Sequence, residues 1–154
     1  MTRGRTPEAT PAPAPHAYRC HVRFSDVDVY GHVNNVKYFE YYQEARIAFL
    51  QSLGVDLLDP GTTERHVLAR VEVDYRRPLL FRPEPYVVET WVHRVGTSSY
   101  DLGCRIIDAP GGAGDGYSSA DVRLVAFDLA TARSRPLSEV ERRSLRSALD
   151  PGPA

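Results

Sequence analysis

The residues best suited to chemistry lie close together around His32. Two carboxylates, Asp26 and Asp28, precede this histidine, and two asparagines, Asn34 and Asn35, follow it just before a helical pattern. The first amides of a helix have no partner within it and carry partial positive charge, so they can stabilise a developing oxyanion. A carboxylate beside them can act as a nucleophile or as a general base toward water. The segment therefore holds the parts for acyl hydrolysis without a serine, a cysteine or a metal.

A long helix is expected to position this cluster. Apolar residues recur at three- to four-residue spacing, without an interrupting Gly or Pro, and predict a helix over residues 34–53. Asn34 or Asn35 is expected to cap its start, and Gly54 to follow its end in the left-handed conformation. Gly31 permits a close approach of the backbone to a ligand. The pattern is defined by Val36, Phe39, Tyr42 and Ala45 and is continued by Ile47, Phe49, Leu50 and Leu53.

Strand patterns account for most of the remaining chain. One strand, residues 18–24, precedes the cluster, and four more follow the helix as an expected antiparallel meander. These four span residues 67–75, 85–95, 98–107 and 120–128. A glycine-rich hairpin loop at 108–116 joins the last two, and Ser138 with Glu141 fits a capping box that opens a short final helix. The strand at 85–95 is apolar on both faces, so we expect a second subunit to cover the face that the helix leaves open.

Length and composition exclude several classes of protein. The 154 residues suggest one domain, with Pro/Ala-rich residues 1–16 as a disordered leader and residues 17–148 as the folded part. No apolar run reaches the roughly 18 residues of a membrane span, and the leader lacks the apolar centre of a secretory signal. A formal net charge of −1 provides no drive toward nucleic acid or an acidic membrane. Cys20 and Cys104 predict neither a disulfide framework nor a metal site, so the expected location is cytoplasmic.

Residues 26–38 (DVDVYGHVNNVKY), followed by Glu-Ala-Arg at 44–46, resemble the signature of the hotdog-fold acyl-CoA thioesterases of the 4-hydroxybenzoyl-CoA thioesterase family. Three later segments resemble the same family and extend the resemblance over about residues 18–140. They are residues 73–79 (VDYRRPL), 96–99 (GTSS) and 127–128 (FD). The His-Val-Asn-Asn form at 32–35 resembles the long-chain acyl-CoA and acyl-carrier-protein branches, which implies a fatty acyl substrate.

This resemblance implies a fold, an assembly and a site. The fold is α+β, a long central helix wrapped by a curved antiparallel sheet of about five strands. The assembly is a homodimer, or a tetramer built as a dimer of dimers, with active sites between subunits. The substrate is an acyl-CoA or acyl-carrier-protein thioester, and no cofactor or metal is expected because coenzyme A is part of the substrate. Asp28 matches the catalytic carboxylate, with His32 and Asn35 beside it, and the amides of residues 32–35 match the oxyanion donors. The substrate-binding residues implied are Gly31, Val33, Asn34, Tyr38, Thr97, Ser98 and Ser99.

Several of these residues also fit plainer roles. Asp28 is a residue type favoured in turns and helix caps. Asp26 fits a supporting role by hydrogen bonding, His32 fits interface packing as well as substrate orientation, and Tyr38 fits packing. Because a guanidinium matches phosphate oxygens, some arginines are candidates for binding coenzyme A phosphates. The candidates are Arg76, Arg77, Arg82, Arg94, Arg133 and Arg135.

Two other functions fit the same fold. One is a hotdog enoyl-CoA hydratase, and the other is a module that binds acyl-CoA without catalysis. The glycines of the loop at 108–116 do not indicate a phosphate loop, because the Gly-Lys-Ser/Thr ending is missing and the loop lies between strands.

Overall fold

The structure is a computed structural model that describes residues 14–55, 57, 59–114 and 116–152. Most of the predicted leader lies outside these residues, and the first strand begins at His16, one residue inside the predicted leader. The elements are β1 (His16–Cys20), a 3-10 turn (Phe24–Asp26), α1 (Lys37–Ser52), β2 (Glu64–Tyr75), β3 (Tyr86–Val95), β4 (Ser99–Ile107), β5 (Ser118–Asp128), β6 (Arg133–Ser134) and α2 (Glu139–Ser147).

One curved antiparallel sheet wraps α1, in the strand order β1-β3-β4-β5-β2, with β6 beside the end of β5. This is the α+β arrangement of the predicted hotdog fold. The predicted four-strand meander is wrong in one respect, because β2 pairs with β5 and not with β3. The connection at residues 76–85 contains three prolines and is too long for a hairpin turn, so it carries the chain to the far side of the sheet. Among the described residues β2 therefore has one neighbour, and its other edge is open.

The helix α1 begins later than predicted. It starts at Lys37, with Val36 in the N-cap position, so neither Asn34 nor Asn35 is its cap. The Asn34 side chain instead accepts a hydrogen bond from the Val36 amide at 2.9 Å, an Asx turn that delays the helix. Gly54 follows the helix at φ +77°, as predicted.

The buried face of α1 differs from the predicted face at its start. Val36 and Phe39 are 62% and 43% exposed, because the buried stripe of the helix begins at Tyr38 and continues at three- to four-residue spacing. The buried side chains of α1 itself are Tyr38, Tyr41, Tyr42, Ala45, Phe49 and Leu50. None of the helices in the described ranges is long and apolar enough to cross a membrane.

Part of the outer face of β3, around Glu89, is covered by this chain itself, whereas we expected a second subunit to cover this face. Glu89 and Arg105 form an ion pair at 2.8 Å on this face, and their side chains are only 3% and 4% exposed. The Gly111 amide donates to the second Glu89 oxygen at 2.7 Å, which fixes the glycine-rich loop over the pair.

The chain's last described residues also cover β3, past the predicted domain end at residue 148. The Asp150 amide donates to the Val92 carbonyl at 2.9 Å. Trp91 lies between two glycines, and a Cβ placed on Gly103 or Gly152 would come within 2.3 Å or 2.8 Å of the indole ring. Only glycine leaves room for the ring at these two positions.

The final helix α2 is attached to the sheet by a buried polar cluster. His66 places Nδ1 2.8 Å from the Tyr100 hydroxyl and Nε2 3.0 Å from a Glu141 oxygen. Arg135 donates to both Glu141 oxygens, at 2.9 and 2.8 Å. Glu141 also accepts from the Ser138 amide at 2.8 Å, which confirms the predicted capping box. The Glu141 carboxylate therefore joins α2 to β2 and to the segment that directly precedes α2.

We expect acid to weaken the fold through Glu141. Burial alone would raise its pKa, but hydrogen bonds from Arg135, His66 and the Ser138 amide hold the pKa well below its usual value of 4.5. Because the folded-state pKa is the lower one, the stabilisation is present above the unfolded-state pKa and is lost as the pH falls through the folded value. Urea unfolding from about pH 7 to about pH 3 should show a shallower loss of stability in Glu141→Gln than in the wild type. Glu139→Gln, an exposed carboxylate in the same helix turn, should keep the wild-type profile. Parallel profiles for Glu141→Gln and the wild type would contradict the prediction.

Candidate active site

A short hairpin that turns at Gly31 carries the candidate catalytic residues. Val27 and Val33 form an antiparallel bridge at its base. The Asp28 amide donates to the His32 carbonyl at 2.9 Å, and the Gly31 amide donates to the Asp28 carbonyl at 3.0 Å. Gly31 has φ +78°, in the left-handed region that favours glycine. The backbone thus brings Asp28 and His32 opposite each other at the tip.

The Asp28 carboxylate is oriented by one hydrogen bond and can still accept others. One oxygen accepts the Tyr30 amide at 2.9 Å, and the other has no hydrogen-bond partner among the described residues. Asp28 is partly exposed, and His32 is exposed. A carboxylate held by one oxygen, with the other free, can meet a substrate or a water molecule.

Asp26 lies beneath the hairpin and has a supporting role, as expected. It is 1% exposed and accepts hydrogen bonds from the Tyr41 hydroxyl at 2.6 Å and from the Arg23 amide at 3.0 Å. The Arg23 guanidinium lies 3.1 Å from the other oxygen, without the alignment of a hydrogen bond. Burial alone would raise the pKa of Asp26, but these contacts hold the pKa below its usual value. Asp26 is therefore a buried anion that anchors the hairpin and is not exposed to a ligand.

Two of the four amides predicted as oxyanion donors are already occupied. The Val33 amide donates to the Leu79 carbonyl at 2.9 Å, and the Asn34 amide donates to the Asp26 carbonyl at 2.8 Å. These bonds tie the end of the hairpin to the segment after β2 and to the backbone of Asp26. They stabilise the loop, but they leave neither amide free for a ligand.

The other two amides, those of His32 and Asn35, have no acceptor among the described residues. The Asn35 carbonyl accepts from the Tyr75 hydroxyl at 2.8 Å, which fixes the peptide next to the free amide. Backbone amides that have no acceptor can donate hydrogen bonds to an oxyanion, so these two amides suit that role. Sequence reasoning missed Tyr75, although it lies in the segment 73–79 that resembled the family.

Val33 and Tyr38, both predicted to bind substrate, are packed inside this chain. They are 4% and 3% exposed, and the Tyr38 hydroxyl accepts from the Leu79 amide at 3.0 Å. The Tyr38 ring also meets the Tyr75 ring edge-on, with centroids 4.8 Å apart. In this chain both residues hold neighbouring segments, and their contact with a substrate stays a prediction.

The turn at residues 96–99 does not meet Asp28 within one chain. Tyr75, next to the hairpin, pairs with Ser118 at the start of β5, whereas the last residue of the turn pairs with Val125. Val125 lies seven residue steps along β5 from Ser118, which corresponds to roughly 23 Å. The predicted substrate-binding residues thus separated from Asp28 are Thr97, Ser98 and Ser99.

An apolar surface surrounds the hairpin and is unusually exposed. Phe24 is 80% exposed, Val29 97%, Tyr30 82%, Val36 62% and Phe81 53%. The Phe24 and Phe81 rings are in edge contact at 5.8 Å, which joins the two loops that form this surface. Exposed apolar patches of this kind mark interaction sites.

Cysteine chemistry is not available to the site. Cys20 and Cys104 are free and buried, and burial raises the pKa of each thiol to about 12. Neither thiol is therefore ionised near neutral pH. Within the part of the chain that the structure describes, no three His, Cys, Asp or Glu side chains converge to hold a metal ion.

Comparisons with known proteins agree with the observed fold. The family model of the thioesterase-like superfamily matches residues 22–145. The chain is 36% identical over 82 residues to the uncharacterized protein YsmA of Bacillus subtilis (strain 168), a match that covers 53% of each protein. The chain spans about half the length of the curated relatives it matches.

Two solved structures are similar over most of their length. The PA2801 protein of Pseudomonas aeruginosa is 36% identical with a TM-score of 0.73, covering 86% of this chain and 98% of that chain. A thioesterase from Thermus thermophilus, solved with coenzyme A and Zn, is 32% identical with a TM-score of 0.70. That similarity covers 88% of this chain and 95% of the Thermus chain.

Proposed function

This chain belongs to the thioesterase-like superfamily, and from that membership we propose that it hydrolyses acyl-CoA thioesters to a free acid and coenzyme A. One observation carries the proposal. The hairpin and the two residues that follow it hold a carboxylate with a free oxygen, Asp28, and two backbone amides without acceptors among the described residues, those of His32 and Asn35. A carboxylate next to oxyanion donors is the minimum that acyl transfer to water requires.

In the proposed reaction the thioester carbonyl oxygen accepts hydrogen bonds from the amides of His32 and Asn35 while its carbon is attacked. In one route Asp28 removes a proton from the attacking water and returns it to the departing thiolate. In the other route Asp28 attacks directly, and water then opens the resulting anhydride. Both routes break the C–S bond and use the same free carboxylate oxygen.

The proposed active unit is a homodimer joined through β2, alone or within a dimer of dimers. The twelve-residue β2 has an open edge, and two-fold antiparallel pairing would place its Tyr75 end beside the partner's Glu64 end. Glu64 pairs with Asp128, two residues beyond Ala126, whose amide donates to the Ser98 carbonyl at 2.8 Å. The turn 96–99 lies roughly 23 Å from the hairpin of its own chain, but in this pair it would reach the hairpin of the partner. This pairing also provides a cover for the apolar surface around the hairpin.

We propose a fatty acyl group as the substrate's acid and coenzyme A as its carrier. The His-Val-Asn-Asn segment supports the fatty acyl group by its resemblance to the long-chain branches, and Val29, Tyr30 and Phe81 offer exposed apolar surface near Asp28. The Thermus thermophilus thioesterase, solved with coenzyme A, supports the carrier. Two free thiols are consistent with a cytoplasmic enzyme.

A thiol-release screen tests this function. The purified protein is mixed with aromatic, short-chain and long-chain acyl-CoAs and with a long-chain acyl-carrier protein, and the free thiol is followed by a colour reagent. We expect turnover, with the highest kcat/KM for long-chain acyl-CoA. The protein's own thiols add little background, because both are buried with a pKa of about 12.

Three outcomes of this screen would overturn the proposal. Release of thiol from none of the thioesters would exclude a thioesterase. Hydration of crotonyl-CoA without thiol release would indicate a hydratase on the same fold. Tight binding of acyl-CoA without turnover would indicate a binding module.

A further inference from the structure

The structure separates the candidate phosphate-binding arginines by the partners they already have. Four of the six are engaged within the fold, through hydrogen bonds or ion pairs. These are Arg76 on Ser119, Arg82 on Asp108, Arg94 on Asp101 and Arg135 on Glu141. Arg77 and Arg133 form no ion pair with any other residue that the structure describes.

Arg77 differs from Arg133 because Tyr117 holds it in place. The Arg77 guanidinium carbon lies 4.2 Å from the centre of the Tyr117 ring, and the Arg77 amide donates to the Tyr117 carbonyl at 3.1 Å. The ring is fixed in turn, since its hydroxyl donates to Asp108 at 2.9 Å and the ring forms a T-shaped contact with Tyr86, with centroids 5.1 Å apart. A guanidinium stacked on a ring keeps its in-plane N–H donors available. Arg77 is therefore both exposed to solvent and held in position by the Tyr117 ring.

Arg77 also lies in the segment that clamps the candidate active site. Two residues before it, the Tyr75 hydroxyl donates to the Asn35 carbonyl at 2.8 Å. Two residues after it, the Leu79 carbonyl accepts from the Val33 amide at 2.9 Å. The arginine is thus attached on both sides to the hairpin, at a distance set by a few residues of chain.

The local charge favours an anion. Asp108 accepts from Tyr117 and Arg82, and these contacts, the Tyr117 hydrogen bond foremost, lower its pKa so that it stays ionised. Arg82 offsets this negative charge, and Arg77 then leaves the cluster of Arg77, Arg82 and Asp108 with one net positive charge.

We propose that the Arg77 guanidinium, stacked on Tyr117, binds a phosphate group at the end of the pantetheine arm of the thioester substrate. This inference rests on the proposed thioesterase function. The pantetheine arm separates the thioester from the first phosphate, so a phosphate-binding group has to stand apart from Asp28 and yet be tied to its loop. The planar fork of a guanidinium matches two oxygens of such a phosphate. The same chemistry is present in coenzyme A and in a phosphopantetheinylated carrier protein.

The test compares Arg77→Ala with the wild type on three thioesters of one acyl group: acyl-CoA, acyl-carrier protein and acyl-pantetheine, which has no phosphate. We expect the KM for acyl-CoA to rise about tenfold at unchanged kcat, and the kinetics with acyl-pantetheine to stay unchanged. A rise with acyl-CoA alone assigns the site to the nucleotide phosphates, and a rise with the carrier protein as well assigns it to the phosphate common to both. An equal effect on all three thioesters, or no effect, would overturn the proposal.

Three further variants separate binding from general charge effects. Arg143→Ala removes an exposed arginine of α2 that forms no ion pair among the described residues and should leave the KM unchanged. Tyr117→Ala removes the ring and should raise the KM for phosphate-bearing thioesters, whereas Arg77→Lys should recover part of the lost affinity. Should the wild type hydrolyse no thioester, calorimetric titration with coenzyme A still decides the proposal. A Kd that is about tenfold weaker for Arg77→Ala supports the site, and an unchanged Kd, or no binding by either protein, rejects it.

Discussion

Asp28→Asn is expected to abolish thioester hydrolysis while the fold persists. The asparagine carbonyl oxygen can still accept the Tyr30 amide that Asp28 accepts at 2.9 Å, so the turn of the hairpin is kept. What disappears is the free anionic oxygen, which is the nucleophile in one route and the base in the other. Proton transfer by a positioned side chain contributes typically about 100- to 10,000-fold, so kcat should fall by at least about 100-fold. The rate of thiol release and the thermal midpoint are measured on the same preparation.

Asp59→Asn is the matched control for this variant. Asp59 accepts the Gly61 amide at 2.8 Å, just as Asp28 accepts the amide of the residue two positions after it. Asp59, however, lies in the loop after α1. The control should hydrolyse thioesters at the wild-type rate. Mass spectrometry of Asp28→Asn excludes deamidation back to aspartate, and gel filtration shows whether the assembly is unchanged. Turnover of Asp28→Asn within about twofold of the wild type would remove Asp28 from the mechanism.

The final helix was predictable because its signal is local. The capping box of Ser138 and Glu141 involves two residues three apart, so no long-range contact has to be known to predict it. The same reasoning placed Asn34 at the start of α1, and its failure there has a local cause. An asparagine can close an Asx turn as readily as it caps a helix, and here it binds the Val36 amide.

The partners of each strand and the layout of the site were not predictable, because they depend on long-range pairing. Alternation identified β2 but could not tell that β5 is its neighbour. That pairing decides that the turn 96–99 lies at the far end of the sheet from Asp28, although the resemblance placed both in one site. The outer face of β3 posed a related problem, since the pattern predicts that the face around Glu89 is covered but does not identify what covers it. The burial of Glu89 depends on Arg105 and on the loop at 108–116, which are brought to it only by the fold.

Glu89→Ala is expected to cause a large loss of stability. The variant leaves the Arg105 guanidinium, whose side chain is 4% exposed, without its carboxylate and takes the acceptor from the Gly111 amide. Removing one partner of a buried ion pair costs about 3–5 kcal/mol, because the remaining charge is neither solvated nor paired. Urea unfolding should show a lower midpoint at an unchanged m-value. Glu72→Ala is the matched control, since Glu72 pairs with Arg70 in the open, both side chains being 59% exposed, and its loss should cost less than about 1 kcal/mol.

A double variant distinguishes the cost of the unpaired charge from the cost of losing the anchors of the glycine-rich loop. Replacing Glu89 and Arg105 together with leucine removes both charges, and buried ion pairs exchanged for apolar residues are often neutral or stabilising. The double variant should therefore be more stable than Glu89→Ala, although it has lost more polar contacts. Arg105 also donates to the Gly114 carbonyl, so the double variant removes two anchors of the glycine-rich loop. If the double variant were as unstable as Glu89→Ala, the cost would lie in the anchoring of this loop and not in the unpaired guanidinium.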